Sequence, residues 1–267
     1  MRTTTPPATK TKEISKGCDP CGGSSPGEVV GAEKKAVLFD AAGTLIDVAR
    51  PVGETYAEIA SGFGSKAEAG ALSRAFRIAW GTMPPLAFPD LPDRAASSLE
   101  AAEYRWWREL VGRTFEQAGG IGDLDACFEG LFDRLFDHYA DPRAWRVFPE
   151  VRKTLRILCE RGIVLAVVSN FDSRLPPLLE ALGLAPFFQA IVHSSAAGAA
   201  KPAPGIFDLA LTRVGVEAGQ ALHVGDSPDA DIEGALAAGI DALLIRRKAP
   251  FTRRPGIISN LGMILEV

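Results

Sequence analysis

The chain has 267 residues, 47% hydrophobic and 23% charged, with a net charge of -4. That length can bury a sizeable core as one domain, or as one domain with an insertion, and the acidic balance argues against a nucleic-acid partner, which needs a basic face. No apolar run approaches the ~18–20 residues that cross a bilayer and the first residues lack the apolar core of a secretory signal, so the expectation is a soluble, cytoplasmic protein with no membrane partner.

Residues 1–34 are rich in Thr, Lys, Gly, Ser and Pro and almost free of large apolar side chains. Such a segment cannot bury enough surface to offset its ordering entropy, and the expectation is a disordered tail. Within it, Cys18-Asp-Pro-Cys21 has the spacing of a redox pair or half a zinc site. No strand precedes it and no second Cys or His pair lies nearby, so it reads as an exposed pair in the tail. Cys127 and Cys159 sit among apolar residues at helical spacing and are expected to be core thiols.

Ala36 to Phe39 is a short apolar run, as expected of a parallel strand buried on both faces. It ends in Asp40 and breaks at Gly43-Thr44. From about 48 to 145 the pattern is helical with no convincing strand. Tyr56, Ile59, Ala60 and Phe63 form one stripe, and Leu72, Phe76 and Ala79 the next. A loop with Pro84, Pro85, Pro89 and Pro92 follows, which no helix could cross. Leu99, Trp106, Leu110 and Val111 then lie on a long helix, and Leu124, Cys127, Leu131, Leu135 and Phe136 on the last.

Strands and helices alternate from there on. A helix with Val151, Leu155 and Leu158 leads to the strand Ile163–Ser169, and a helix with Leu175, Leu178, Leu179 and Leu182 to a strand near Ala190–His193. A helix with Ile206, Phe207, Ala210, Leu211 and Val214 leads to Ala221–Val224. The helix Ile232–Ala238 precedes Ala242–Ile245, the last strand expected. Repeated strand, helix and glycine predict a doubly wound parallel sheet of the α/β class, with right-handed crossovers. The domain boundaries expected are a core over 35–47 and 146–267 and a helical cap over 48–145.

Ligands bind an open α/β sheet beyond the carboxyl ends of its strands. Asp40 stands there, and a lone carboxylate before a flexible turn can act as a nucleophile that forms an aspartyl-phosphate or ester. Ser169-Asn170 ends a second strand, where a hydroxyl and a helix-start N–H suit a phosphate oxygen, or simply cap the helix. Lys201-Pro202 offers a cation that can neutralise developing charge, or a surface lysine before a helix. Gly225-Asp226-Ser227-Pro-Asp-Ala-Asp231 ends a third strand. Asp226 and Asp231 beside Asp40 make an oxygen-only cluster of the kind that holds Mg²⁺, while Asp229 and Asp231 also suit a helix N-terminus.

Asp-x-x-Gly-Thr-Leu at 40–45, Ser169, Lys201 and Asp226/Asp231 resemble, in order and spacing, the four motifs of the haloacid dehalogenase-like superfamily. The resemblance spans roughly residues 35–247. A helical insert just after the first motif is similar to the cap of subfamily I, and Trp106-Trp107-Arg108-Glu109-Leu110-Val111 looks like a subgroup of subfamily IA caps. The resemblance implies Asp40 as nucleophile, and Ser169, Asn170, Thr44 and Lys201 on the transferred group. It also implies Mg²⁺ on Asp40, Asp226 and the carbonyl of Ala42, with Asp231 acting through water or through Lys201. The implied partner is a small phosphorylated molecule, acted on by a monomer or homodimer.

Phosphatases of this family usually carry a second Asp two residues after the nucleophile, as general acid and base. Here that residue is Ala42, and proton transfer of this kind is typically worth ~10²–10⁴-fold. Ala42 keeps three alternatives in view. Metal-free haloacid dehalogenases also lack this Asp, but usually have an aromatic residue there and nothing like Asp226. Phosphonoacetaldehyde hydrolases have Asp-x-Ala-Gly-Thr and a cap lysine that forms a Schiff base; Lys66, the only lysine in the insert, reads as an exposed helix start. The third alternative is a phosphate-binding protein without turnover.

Overall fold

The computed structural model describes residues 34–91, 95–119, 126–247 and 254–266. The tail expected over residues 1–34 therefore lies, but for Lys34, outside the described residues, as do Cys18, Cys21, Pro92 and Leu124. Six parallel strands form one sheet: β1 Ala36–Phe39, β4 Val164–Ser169, β5 Ala190–His193, β6 Ala221–Gly225, β7 Asp241–Ile245 and β8 Ile257–Ile258, in the order β5-β4-β1-β6-β7-β8. β1 lies in the middle, with Phe39 in register with Val167 on one side and Val224 on the other. The chain leaves β1 toward β4 and β5, then returns to the far side of β1 for β6. The crevice of a doubly wound sheet opens at such a reversal.

Both faces of β1 are covered, which is why its sequence does not alternate. Val37 and Phe39 pack on one side against Val151 and Leu155 of α5 (Val151–Glu160) and Leu175 and Leu179 of α6 (Leu175–Ala181). Ala36 and Leu38 pack on the other against Ile206, Phe207 and Ala210 of α8 (Pro204–Val214) and Ala235 of α9 (Gly234–Ala237). Leu38 and Phe39 have no solvent exposure, and burying side chains of this size contributes about 1.5–3 kcal/mol each. A short helix, α7 (Ser194–Ala197), follows β5.

Among the described residues four helices lie between residues 52 and 140: α1 Val52–Ser61, α2 Ala69–Thr82, α3 Ala96–Gln117 and α4 Phe128–Ala140. Tyr56, Leu72, Val111, Phe115, Phe132 and Leu135 form their shared core. The insert is tied down across the crevice. Trp107 Nε1 donates to the buried Asp172 at 2.5 Å, and Glu103 Oε1 accepts from the backbone and hydroxyl of Ser173 at 3.0 and 2.8 Å. No described helix is long and apolar enough to cross a membrane.

Three expectations need correction. The insert is not framed by helices alone, because β2 (Ile46–Val48) and β3 (Trp145–Val147) pair antiparallel at its base; three residues each are too few to give a periodic signal. The strand Asp241–Ile245 is not the last, since β8 adds to its edge. Cys159 is exposed rather than a core thiol, on the outer side of α5, while Cys127 is partly buried.

Candidate active site

Three strand ends converge on the crevice. Asp40 follows β1, and its backbone N–H donates to Val224 O at 2.9 Å, which fixes it beside β6. Its Oδ1 accepts from the Ser169 hydroxyl at 3.0 Å and from Lys201 Nζ at 2.7 Å. The same ammonium reaches Asp231 Oδ1 at 2.6 Å, where His223 Nε2 also lies, 3.0 Å away. Asp40, Lys201, His223 and Asp231 are all buried. Carboxylate oxygens of Asp40, Asp226 and Asp231 lie within 4.8 Å of one another.

Close approach here depends on two glycines. Gly43 has a φ of 89°, and a Cβ there would stand 2.4 Å from Asp226 Oδ2. Gly225 leaves room for Asp231, whose Cγ would be 2.1 Å from an added Cβ. The turn after Asp40 is pinned from outside. Arg247 donates to the carbonyls of Gly43 and Thr44, binds Glu150 at 2.6 Å and stacks its guanidinium over Phe148, 3.5 Å from the ring centre.

Burial in an acidic setting sets the charges. Burial pushes the Asp40 carboxyl up to about 6, helped by Asp231 and Asp226 and opposed by Lys201. Burial works against the ammonium of Lys201, but the two carboxylates beside it outweigh that and raise its pKa, so it stays charged. Burial would likewise raise Asp231, but Lys201 and His223 hold it below the usual carboxylate range. His223 is pushed down by burial despite its bond to Asp231. Burial and then the Asp231 charge raise Asp226.

Asp40, Ser169, Lys201, Asp226 and Asp231, named from the sequence, therefore meet at one point. Ala42 lines the same cavity, and the bonds of its turn run to the carbonyls of Ala41 and Ile46 rather than to its own. Asn170 also lines the cavity, but its amide is used on the backbone of Lys201, donating to the carbonyl at 2.9 Å and accepting the N–H at 2.7 Å. Thr44 is wholly buried and is not among the residues lining the cavity. Lys66 is exposed and does not line it either, which removes the amine that a Schiff-base reading requires.

Sequence reasoning missed His223, Arg247 and the cavity's walls. A histidine inside the apolar run Ala-Leu-His-Val was a usable signal, since a buried imidazole needs a partner; Arg247 carried none. Of the paired tryptophans, Trp106 is buried and donates to Pro84 O at 2.9 Å, whereas Trp107 lines the cavity.

The metal question turns on which oxygens are left over. Both oxygens of Asp231 are engaged, since Oδ1 takes Lys201 and His223 and Oδ2 accepts the Ser227 N–H at 2.9 Å. Asp226 opens onto the cavity with no ion pair among the described residues, and the second oxygen of Asp40 takes neither Ser169 nor Lys201. Three carboxylates against one ammonium leave two negative charges uncompensated, a donor set that fits a hard divalent cation.

A central parallel strand ending in Asp40, with Ser169 and Asp226 at the ends of its two neighbours and Lys201 in the turn before α8, is the arrangement the sequence motifs lead one to expect of a haloacid dehalogenase-like hydrolase. The family model for haloacid dehalogenase-like hydrolases matches residues 34–239, and the chain belongs to that family. It is 36% identical over 216 residues to haloacid dehalogenase-like hydrolase domain-containing protein 3 of Bos taurus, covering 81% of this chain and 83% of the relative. The crystal structure of a HAD phosphatase from Thermococcus onnurineus aligns with a TM-score of 0.58 at 25% identity, over 87% of this chain and 96% of that one. That of a 2-haloacid dehalogenase from Pseudomonas syringae pv. Tomato aligns with a TM-score of 0.53 at 28% identity, over 87% and 97%.

Proposed function

We propose that the protein is a Mg²⁺-dependent phosphatase acting on a small phosphorylated molecule through an aspartyl-phosphate on Asp40. The observation that carries this reading is Asp226, a carboxylate with no ion pair among the described residues, for which Gly43 leaves room against the Asp40 turn. Asp40, Asp226 and the Ala42 carbonyl would hold the ion, which supplies charge neutralisation on the phosphoryl oxygens. Asp40 attacks phosphorus with the oxygen that is not held by Ser169 and Lys201. Lys201, kept cationic by its two carboxylates, stabilises charge on the transferred group. Asp231 and Asn170 keep Lys201 in place, one by its ammonium and the other by its backbone. Water then attacks phosphorus, releases phosphate and restores Asp40. With Ala42 in place of an acid, the leaving group departs without a proton from that position.

Metal-free dehalogenation is the second reading, favoured by the missing carboxylate at Ala42. It leaves the charge of Asp226 uncompensated, which counts against it. A phosphatase screen including acetyl phosphate and p-nitrophenyl phosphate, with Mg²⁺ and with chelator, separates the two. Turnover that chelator abolishes supports the phosphatase. Release of halide from chloropropionate, unaffected by chelator, supports the alternative.

A further inference from the structure

We infer that the substrate is an aryl monophosphate, its aromatic leaving group seated in a chamber walled by aromatic side chains of the helical insert. The inference rests on the phosphatase reading above and adds the class of leaving group.

The cavity that holds Asp40, Lys201 and Asp226 is about 480 Å³, within the range of small-molecule sites. It is not a polar pocket throughout. Away from the strand ends its wall is for the most part a connected series of rings, with Asp47 and the exposed Arg77 as charged residues at its margin. Trp80 lies 5.9 Å from Phe76, Phe76 5.8 Å from Tyr56 and Tyr56 6.4 Å from Tyr139, between ring centres. Tyr139 is then 6.2 Å from Trp145, and Trp145 5.7 Å from Phe171, which follows directly on Ser169-Asn170. All six line the one cavity, so the aromatic wall runs from the insert to the nucleophile's edge. The guanidinium of Arg174 closes part of this wall. It is stacked 4.0 Å from the centre of Phe136, and its charge is already matched by Asp172 at 2.6 Å, so it adds no free cation for a polar substrate.

Two independent features then select one chemistry. Offset and edge-to-face contacts with ring walls favour a flat aromatic group over a small polar one. Ala42 provides no proton, so the reaction favours a leaving group stable as its anion. Phenols ionise near pKa about 10, well below aliphatic alcohols. A phosphate of an aliphatic alcohol fits the wall but leaves badly, and an acyl phosphate of a small acid leaves well but does not fill the wall. An aryl monophosphate meets both conditions. The Asp40 oxygen bonds to phosphorus while the P–O(aryl) bond breaks, its electron pair leaves on the phenolate, and that phenolate takes its proton from solvent. Water then breaks the Asp40–phosphorus bond to give inorganic phosphate and the free carboxylate.

The test is kcat/KM, with Mg²⁺ present, for three probes: naphthyl phosphate, acetyl phosphate, and cyclohexylmethyl phosphate, which matches the aryl ester in bulk but not in leaving ability. Naphthyl phosphate is expected to exceed each of the others by at least about tenfold, the scale set by one favourable ring contact together with unassisted departure. Trp80→Ala and Phe76→Leu, at the two outermost rings, are each expected to lower the naphthyl-to-acetyl ratio about tenfold. Mg²⁺-dependent turnover in which acetyl or cyclohexylmethyl phosphate equals or exceeds naphthyl phosphate overturns the aryl assignment and leaves the phosphatase standing. An unchanged ratio in both variants does the same. No turnover of any probe overturns both readings together.

Discussion

Lys201 is shared by two buried carboxylates, and removing it should expose a large electrostatic dependence. Its Nζ lies 2.7 Å from Asp40 and 2.6 Å from Asp231, and the residue is only 5% exposed. Lys201→Met keeps the apolar stem and deletes the charge. Taking one partner from a buried pair costs about 3–5 kcal/mol, because the charge left behind has neither water nor counter-ion. For a chain of this size each kcal/mol moves Tm by roughly 2–4 °C, so a fall of roughly 6–20 °C is expected. The comparison is Lys34→Met, which removes a pair of similar length, 2.5 Å to Asp241, whose carboxylate is 49% exposed. A surface pair of that kind is worth about 0–1 kcal/mol. Both variants are melted in chelator, so that no metal ion replaces the lost ammonium. Adding Asp231→Asn to Lys201→Met should recover a large part of the loss, since one of the stranded charges is gone. A Lys201→Met shift no larger than that of Lys34→Met, or no recovery in the double variant, would refute the view that burial makes this lysine the keystone of the site.

Asp226→Asn should weaken Mg²⁺ binding at least tenfold more than Asp229→Asn, read by titration calorimetry, because only Asp226 faces the Asp40 cluster. Gly43→Ala should weaken Mg²⁺ binding as well, since its Cβ would fall 2.4 Å from Asp226 Oδ2 at a φ of 89°, a conformation costing other residues roughly 1–2 kcal/mol. Ala42→Asp should raise kcat/KM for an alkyl phosphate more than for an aryl phosphate, by at most ~10²–10⁴-fold and less if the new carboxylate is poorly oriented. Burial raises the pKa of Glu103; its stabilising contribution is therefore full below the unfolded value near about 4.3 and is lost as pH rises through the folded value. The Tm of Glu103→Gln should accordingly gain on wild type as pH rises above about 4, where an ionised carboxylate is the more costly to bury.

Elements with a strong period or a defined end were legible in the sequence. Ala36–Phe39 reads as a two-faced strand because each of its side chains is buried, and the run of helices and glycines after residue 150 gives the doubly wound order. Asp40, Ser169, Lys201 and Asp226 could be named because each stands where an apolar strand stops or a helix begins. β2, β3 and β8 escaped notice because two or three residues carry no periodicity, and their pairing is decided by partners far along the chain. The part played by the Asn170 side chain was hidden for a related reason. The sequence points to the hydroxyl and N–H at the start of the helix, and only the fold reveals that the Asn170 amide is used on the Lys201 backbone. Arg247 and the aromatic wall were out of reach altogether, since Arg247 meets Gly43 across 204 positions and the wall joins helices and strands far apart in the chain, Tyr56 to Tyr139 among them. Cys159 looked internal because its neighbours are apolar, yet it falls on the solvent side of α5.

The central claim is that Asp40 attacks phosphorus and that water then attacks the same phosphorus. A single turnover in heavy-oxygen water tests it directly, run with p-nitrophenyl phosphate and separately with chloropropionate, followed by mass analysis of the peptide that carries Asp40 and of the released product. An aspartyl-phosphate opened at phosphorus puts the heavy oxygen in inorganic phosphate and leaves the Asp40 carboxylate unlabelled, which is the predicted result. Label in the Asp40 side chain, with chloropropionate as the substrate consumed, would mean that water attacks the carbonyl of an ester intermediate and would contradict the assignment.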